Sequence, residues 1–178
     1  KSAFFGKYGK TTLGVELRNE HIISNVLGDS LAENKKVPFT AESDSIFFIY
    51  GKNRLNLNYF GEQTFLFGKF STSVGFSGNY NTMFQSNFCW GINMGYKFAQ
   101  ACRLYANVNN AVRLPTFTDM YYKSATQLAN PDLRPEKSIT TEVGAKGLTE
   151  QFTYRISAYY RIGKDIIDWA RTPSEEVW

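Results

Sequence analysis

Eleven consecutive residues, FCWGINMGYKF from Phe88 to Phe98, alternate without an exception. Phe88, Trp90, Ile92, Met94, Tyr96 and Phe98 share one parity; Cys89, Gly91, Asn93, Gly95 and Lys97 share the other. A period of two places each set on its own face of an extended chain, whereas a helix would scatter both around its circumference. The stretch therefore restricts the chain to strands with one apolar and one polar face. FTYRISAYYRI, Phe152 to Ile162, repeats the pattern, setting Phe152, Tyr154, Ile156, Ala158, Tyr160 and Ile162 against Thr153, Arg155, Ser157, Tyr159 and Arg161.

Weaker alternation marks strands at Thr11 to Ile23, Arg54 to about Gln63, Lys69 to Asn79, Arg103 to Val112 and Ser138 to Lys146, with a short one at Lys164 to Ala170. The pattern predicts an all-β antiparallel meander of about eight strands and no helix. Tight turns are expected between Gln63 and Lys69, around Ala99 to Cys102 and around Gly147 to Gln151. Longer connections are expected between Ser24 and Asn53, around Tyr80 to Asn87 and from Arg113 to Glu136. Short turns at one end and long loops at the other are the plan of an outer-membrane barrel.

Alternation also fits a soluble β-sandwich, which would bury the apolar face of Phe88 to Phe98 against a second sheet. A lipocalin-like barrel would need that face as its interior. Two features favour a membrane barrel. Aromatics flank an aliphatic centre, with Phe88 and Trp90 at one end of the strand, Tyr96 and Phe98 at the other, and Ile92 and Met94 between them. Eleven residues at about 3.3 Å each span roughly 33 Å, which a tilt near 40° reduces to a band about 25 Å tall.

Composition agrees. Aromatics are 16% and charged residues 20%, too apolar and aromatic for disorder, and no run is long enough for a spanning helix. The net charge of +4 is dispersed, which gives no footprint for nucleic acid. Cys89 and Cys102 fall on opposite faces of neighbouring strands, so two free thiols are expected.

Between two alternating segments lies RLPTFTDMYYKSATQLANPDLRPEKS, Arg113 to Ser138. It carries Arg113-x-Pro115 and Tyr121, then Asn130, Pro131, Asp132, Leu133, Arg134, Pro135, Glu136, Lys137 and Ser138, followed by Glu142 and Gly144 in the next strand. In order and spacing this resembles the signature region of TonB-dependent outer-membrane receptors, over about sixty residues from Asn107 to Ile167. TFTDMYY (Thr116 to Tyr122) and DIIDWA (Asp165 to Ala170) are similar to the cobalamin-receptor branch of that family. The resemblance implies a transmembrane barrel of about 22 strands filled by a plug domain. Such a barrel needs roughly 220 residues in its strands alone. Residues 1–178 are therefore expected to be a single partial barrel domain, a central-to-late piece of a longer polypeptide, with the export signal, plug, TonB box and terminal strand outside it.

The resemblance further implies active import of a scarce large ligand, cobalamin or a siderophore-type iron chelate, with the TonB complex as partner through the plug. Lipid and lipopolysaccharide of the bacterial outer membrane would surround the barrel. A porin-like or adhesive outer-membrane protein is the competing class. Arg113, Pro115, Asn130, Pro131, Leu133, Pro135 and Glu136 read mainly as structural. Pro115 ends a ladder, Asn130-Pro131 opens a turn, and Arg134-Pro135 returns the chain to extended form. Arg113 is expected to point inward against carboxylates such as Glu142. Tyr121, Tyr122, Lys123, Gln127 and Asn130 are the candidate ligand contacts at the mouth, with tyrosines available for stacking. The lone His21 offers no transition-metal set, and Asp165, Asp168, Glu175 and Glu176 lack the spacing of a calcium loop. No nucleophile motif, phosphate loop or cofactor motif is present, so neither an enzyme nor a resident cofactor is expected.

Overall fold

The computed structural model describes residues 1–7, 9–40, 46–149 and 151–170. Eight strands form one antiparallel path: β1 (Ser2–Gly6), β2 (Gly9–Ser24), β6 (Tyr50–Phe67), β7 (Phe70–Asn81), β8 (Gln85–Ala99), β9 (Cys102–Arg113), β10 (Glu136–Leu148) and β11 (Thr153–Lys164), each hydrogen-bonded to the next. The excursion between β2 and β6 holds β3 (Asp29–Ser30), which pairs with β6, a 3-10 turn at Glu33–Lys35, and a small ladder of β4 (Val37–Pro38) with β5 (Phe47–Phe48).

Register confirms the parity. Trp90 stands opposite Phe76, Ile92 opposite Val74 and Val108, and Met94 opposite Ala106, so the apolar residues of three strands share a face. That face is open: Phe88 is 56% exposed, Phe98 64% and Ile156 72%. Among the described residues no second sheet covers it, which removes the sandwich reading. The buried apolar side chains among those residues are Met120, Ala129 and Pro115, all in the β9–β10 connection. Elsewhere cross-strand rings lie over glycines. A Cβ built on Gly61 or Gly144 would run into Phe76 or Tyr105, so a missing side chain on one strand makes room for an aromatic on its neighbour.

Several boundaries differ from expectation. SAFFG, not predicted as a strand, pairs with β2 as β1. Lys164 to Ala170 is not a strand: β11 ends at Lys164, and Asp165 takes a left-handed φ of 54° that breaks the extended run. The β7–β8 connection, expected to be long, is a tight turn closed by the pair Asn81 and Gln85. Asn81 Oδ1 accepts from the backbone of Met83 at 2.8 Å and Phe84 at 3.2 Å, satisfying amides that a longer loop would leave to water. Gly68, with φ of 58°, forms the turn between Phe67 and Phe70. The chain is not helix-free either, since α1 (Phe117–Tyr121) sits in the β9–β10 connection.

Cys89 and Cys102 are both free thiols. Cys102 pairs with Ala99, ten residues along β8 from Cys89, so the two lie at opposite ends of the strand pair as well as on opposite faces.

Candidate functional site

The β9–β10 connection starts where Pro115 removes a ladder donor after Leu114. Thr116 then caps α1. Its Oγ1 accepts from Asp119 N at 3.1 Å and its own N donates to Asp119 Oδ2 at 2.8 Å, a reciprocal box that nucleates the turn. Arg113, the last residue of β9, donates from Nη2 to Asp119 at 3.2 Å and from Nη1 to Glu136 at 3.4 Å. Glu136 is also its register partner on β10, and it accepts from Arg161 at 3.3 Å and from Ile167 N at 3.4 Å. Arg113 and Glu136 thus tie together the two feet of the connection and the segment that follows β11. Arg134 to Asp165, at 2.9 Å, adds a second tie.

Arg113 shares the polar-face parity of Glu142, yet the two are not paired. Glu142 accepts instead from Tyr105 OH at 2.8 Å, Asn107 Nδ2 at 3.1 Å and Arg155 Nη2 at 3.2 Å, its immediate neighbours on β9 and β11. The expected pair fails because Glu142 sits six residues down β10 from the register partner of Arg113.

The connection does not project away from the sheet. It folds back across the polar face to β6, three strands from its origin. Arg54, on the polar face of β6 and 8% exposed, donates Nη1 to the Pro115 carbonyl at 2.6 Å. Its guanidinium lies 4.7 Å from the centre of the Phe117 ring, while Nε pairs with Glu20 on β2. Lys52, two residues up β6, sits 5.6 Å over the Tyr121 ring and pairs with Asp29. Pro115 is among the most buried side chains of the chain.

These contacts divide the five expected ligand residues. Tyr121 packs against Lys52. Tyr122 caps α1 and accepts from Ala129 N at 2.9 Å, and Lys123 and Gln127 belong to a small hairpin in which Lys123 bridges Leu128 and Gln127 O accepts from Ser124 N at 2.9 Å. Asn130 accepts from Asp132 N at 2.9 Å, the turn its Asn-Pro sequence announced, and lines a separate hollow of about 430 Å³ with Arg113, Asp119 and Trp169. Leu133 lines the same hollow, and Pro135 directly precedes β10.

Sequence reasoning missed Arg54, Glu20, Lys52 and the asparagines beneath the connection. A signal existed for the last: RLNLNYF and SGNYN carry asparagine at every second position. His21 stands near the end of β2, and among the described residues no three His, Cys, Asp or Glu side chains converge on a metal-sized site. Asp165 is engaged by Arg134, Asp168 accepts from Trp169 N, and Glu175 and Glu176 lie outside the described residues.

An antiparallel meander with one exposed apolar face, one polar face and a long connection folded over the polar side has the plan of a stretch of β-barrel wall. The chain belongs to the family described as TonB dependent receptor-like, beta-barrel, whose pattern it matches over residues 2–176. It is 33% identical over 89 residues to the vitamin B12 transporter BtuB of Vibrio vulnificus, covering 50% of this chain and 14% of that protein. It is 27% identical over 90 residues to the BtuB of Photobacterium profundum, covering 51% and 14%. The siderophore receptor PirA of Acinetobacter baumannii superposes with a TM-score of 0.67 at 16% identity, covering 92% of this chain and 26% of that one. A mutant of the ferric enterobactin receptor PfeA of Pseudomonas aeruginosa, in complex with enterobactin, gives 0.66 at 15% identity, covering 91% and 25%. The chain thus matches about a seventh of the curated relatives' length and a quarter of the solved structures.

Proposed function

We propose that residues 1–178 are part of the wall and external loops of an outer-membrane receptor that binds a scarce large ligand, a cobalamin or a siderophore-type iron chelate, and imports it with TonB-derived energy. In this reading the segment is a single partial barrel domain, and the plug that meets the TonB complex lies elsewhere in the same polypeptide. The apolar face carrying Phe88, Trp90, Ile92 and Met94 contacts lipid, with lipopolysaccharide at the loop end. The observation that carries the reading is the β9–β10 connection, turned back over the polar face and latched by Arg54. A loop so placed lies across the path of a ligand entering from the loop end, with Tyr121, Tyr122, Lys123, Gln127 and Asn130 as its contact residues. The names of the sequence relatives point to cobalamin and those of the structural neighbours to siderophores.

The test is uptake by receptor-deficient cells expressing the full-length protein. Labelled cyanocobalamin and a ferric tris-catecholate are compared, with and without dissipation of the proton-motive force. Saturable import of one of them, abolished by the uncoupler, is expected. Leakage of small solutes of any kind, unaffected by the uncoupler, would identify a porin-like channel instead.

A further inference from the structure

Beneath the folded-back connection the polar face of β6, β7 and β8 carries asparagines in rows across the strands. Asn58 stands opposite Asn79 and Asn79 opposite Asn87, while Asn56 stands opposite Asn81. Two cross-strand bonds use part of their capacity: Asn79 Nδ2 donates to Asn58 Oδ1 and Asn81 Nδ2 to Asn56 Oδ1, each at 2.6 Å. Three buried amide atoms have no partner among the described residues, namely Asn56 Nδ2, Asn79 Oδ1 and Asn87 Nδ2. Asn56 is 1% exposed. Native structures rarely leave such atoms unsatisfied, and an unsatisfied group in a polar recess marks a place where something else bonds to it.

All three asparagines line one cavity of about 400 Å³, together with Arg54, Asn58 and the Phe60 ring, reaching Leu114 at the root of the connection. The charged side chains of the cavity, Arg18, Arg54 and Glu20, are already paired, with Glu16 outside the cavity 3.9 Å from Arg18 as the second carboxylate. Glu20 takes Arg18 at 3.0 Å and also Arg54, whose remaining contacts are the Pro115 carbonyl and the Phe117 ring. Among the described residues, the unpaired polar atoms of the side chains lining the cavity are two amide nitrogens and one amide oxygen, all buried and uncharged. An anion entering here would find the arginines engaged and a carbonyl oxygen in its way. A primary amide can place its oxygen on Asn56 Nδ2 and Asn87 Nδ2 and its own N–H on Asn79 Oδ1, and a hydroxyl can accept and donate in the same manner. No net charge is buried by either. Phe60 supplies an apolar wall for the carbon atoms that carry such groups.

We propose that this cavity is a binding subsite for the uncharged amide or hydroxyl groups of a ligand passing beneath the β9–β10 connection. The proposal rests on the receptor reading above for what the ligand is doing there, but its chemistry is set by the asparagines alone. The test uses the full-length receptor in detergent and three small probes of similar size: propionamide, 1,3-propanediol and sodium propionate. Binding is read by saturation-transfer NMR in wild type and in the double variant N56D/N87D, which keeps the shape and the Asn81 bond while replacing both donors by acceptors. Propionamide or propanediol should give a signal that falls at least fivefold in the double variant, and the stronger of the two identifies the group the subsite takes. Propionate should stay near background in wild type. Equal signals in wild type and variant, or a wild-type preference for propionate, would overturn the proposal. Should the double variant not reach the heat-sensitive mobility of a folded barrel, Asn87→Leu, at a half-buried position, gives the same readout. The receptor reading fails separately, when cells import neither cyanocobalamin nor the ferric chelate, and that result leaves the probe measurement intact.

Discussion

At the scale of single residues, Arg54 joins parts of the chain that sequence alone could not bring together. Its partners are Glu20 on β2 and Pro115 in the distant connection, 61 positions along the chain. Local pattern carries no trace of a contact at that separation, so Arg54 reads in sequence as one more polar-face residue. Arg113 was legible as a motif residue but not in its partners, which are Asp119 six residues on and its register partner Glu136 in place of the expected Glu142. Replacing Arg54 by alanine leaves the Pro115 carbonyl buried without a donor and Glu20 without one of its cations. The docking of the connection should weaken by about 2 kcal/mol, roughly 30-fold in local opening. Hydrogen exchange of the Met120 and Ala129 amides, which bond to Thr116 O and Tyr122 O, reads this directly in the full-length receptor. Unchanged exchange at both amides would mean that Arg54 does not hold the connection.

Elements were legible where one face is apolar and the strand is long, as in β8 and β11, because a shift by one residue would exchange the faces. They were not legible where that contrast fails. In SAFFG two adjacent phenylalanines, Phe4 and Phe5, fall on opposite faces, and the segment is too short for parity to show. DIIDWA alternates no better, and the left-handed Asp165 ends the strand before it. The helix α1 was announced by Thr116-x-x-Asp119, a capping box that five residues of mixed composition hid from any periodicity argument. The glycines inside strands make an element-scale prediction. A methyl on Gly147 would collide with the Ala101 carbonyl and come within 2.7 Å of the Tyr154 ring, whereas one on Gly6 meets nothing within 4 Å. Gly147→Ala should destabilise the turn end of β9–β11 by about 1–3 kcal/mol. Gly6→Ala should lie within about 0.5 kcal/mol of wild type. Thermal loss of the folded electrophoretic mobility in the full-length receptor compares the two, and equal midpoints would refute the packing argument.

For the whole molecule, the fold class and the separation of an apolar from a polar face followed from alternation, and the family from the spacing between Arg113 and Gly144. The path of the long connection did not, because where a loop lands depends on side chains from strands remote in sequence. The described residues have almost no apolar interior, with their hydrophobic side chains displayed on one open face. Produced alone in detergent-free buffer, residues 1–178 should therefore associate or precipitate, and should be recovered as a defined species only in micelles. Size exclusion with light scattering decides this; a compact monomer in plain buffer would contradict the assignment of that face to lipid. A final consequence follows from the landing point of the β9–β10 connection. Rooted at β9 and β10 and fastened at β6, it spans the sheet as a chord spans an arc, and a chord of fixed length sets the curvature of the arc beneath it. Releasing its far end would let that stretch of sheet flatten, so the connection is also a strut for the strands it crosses.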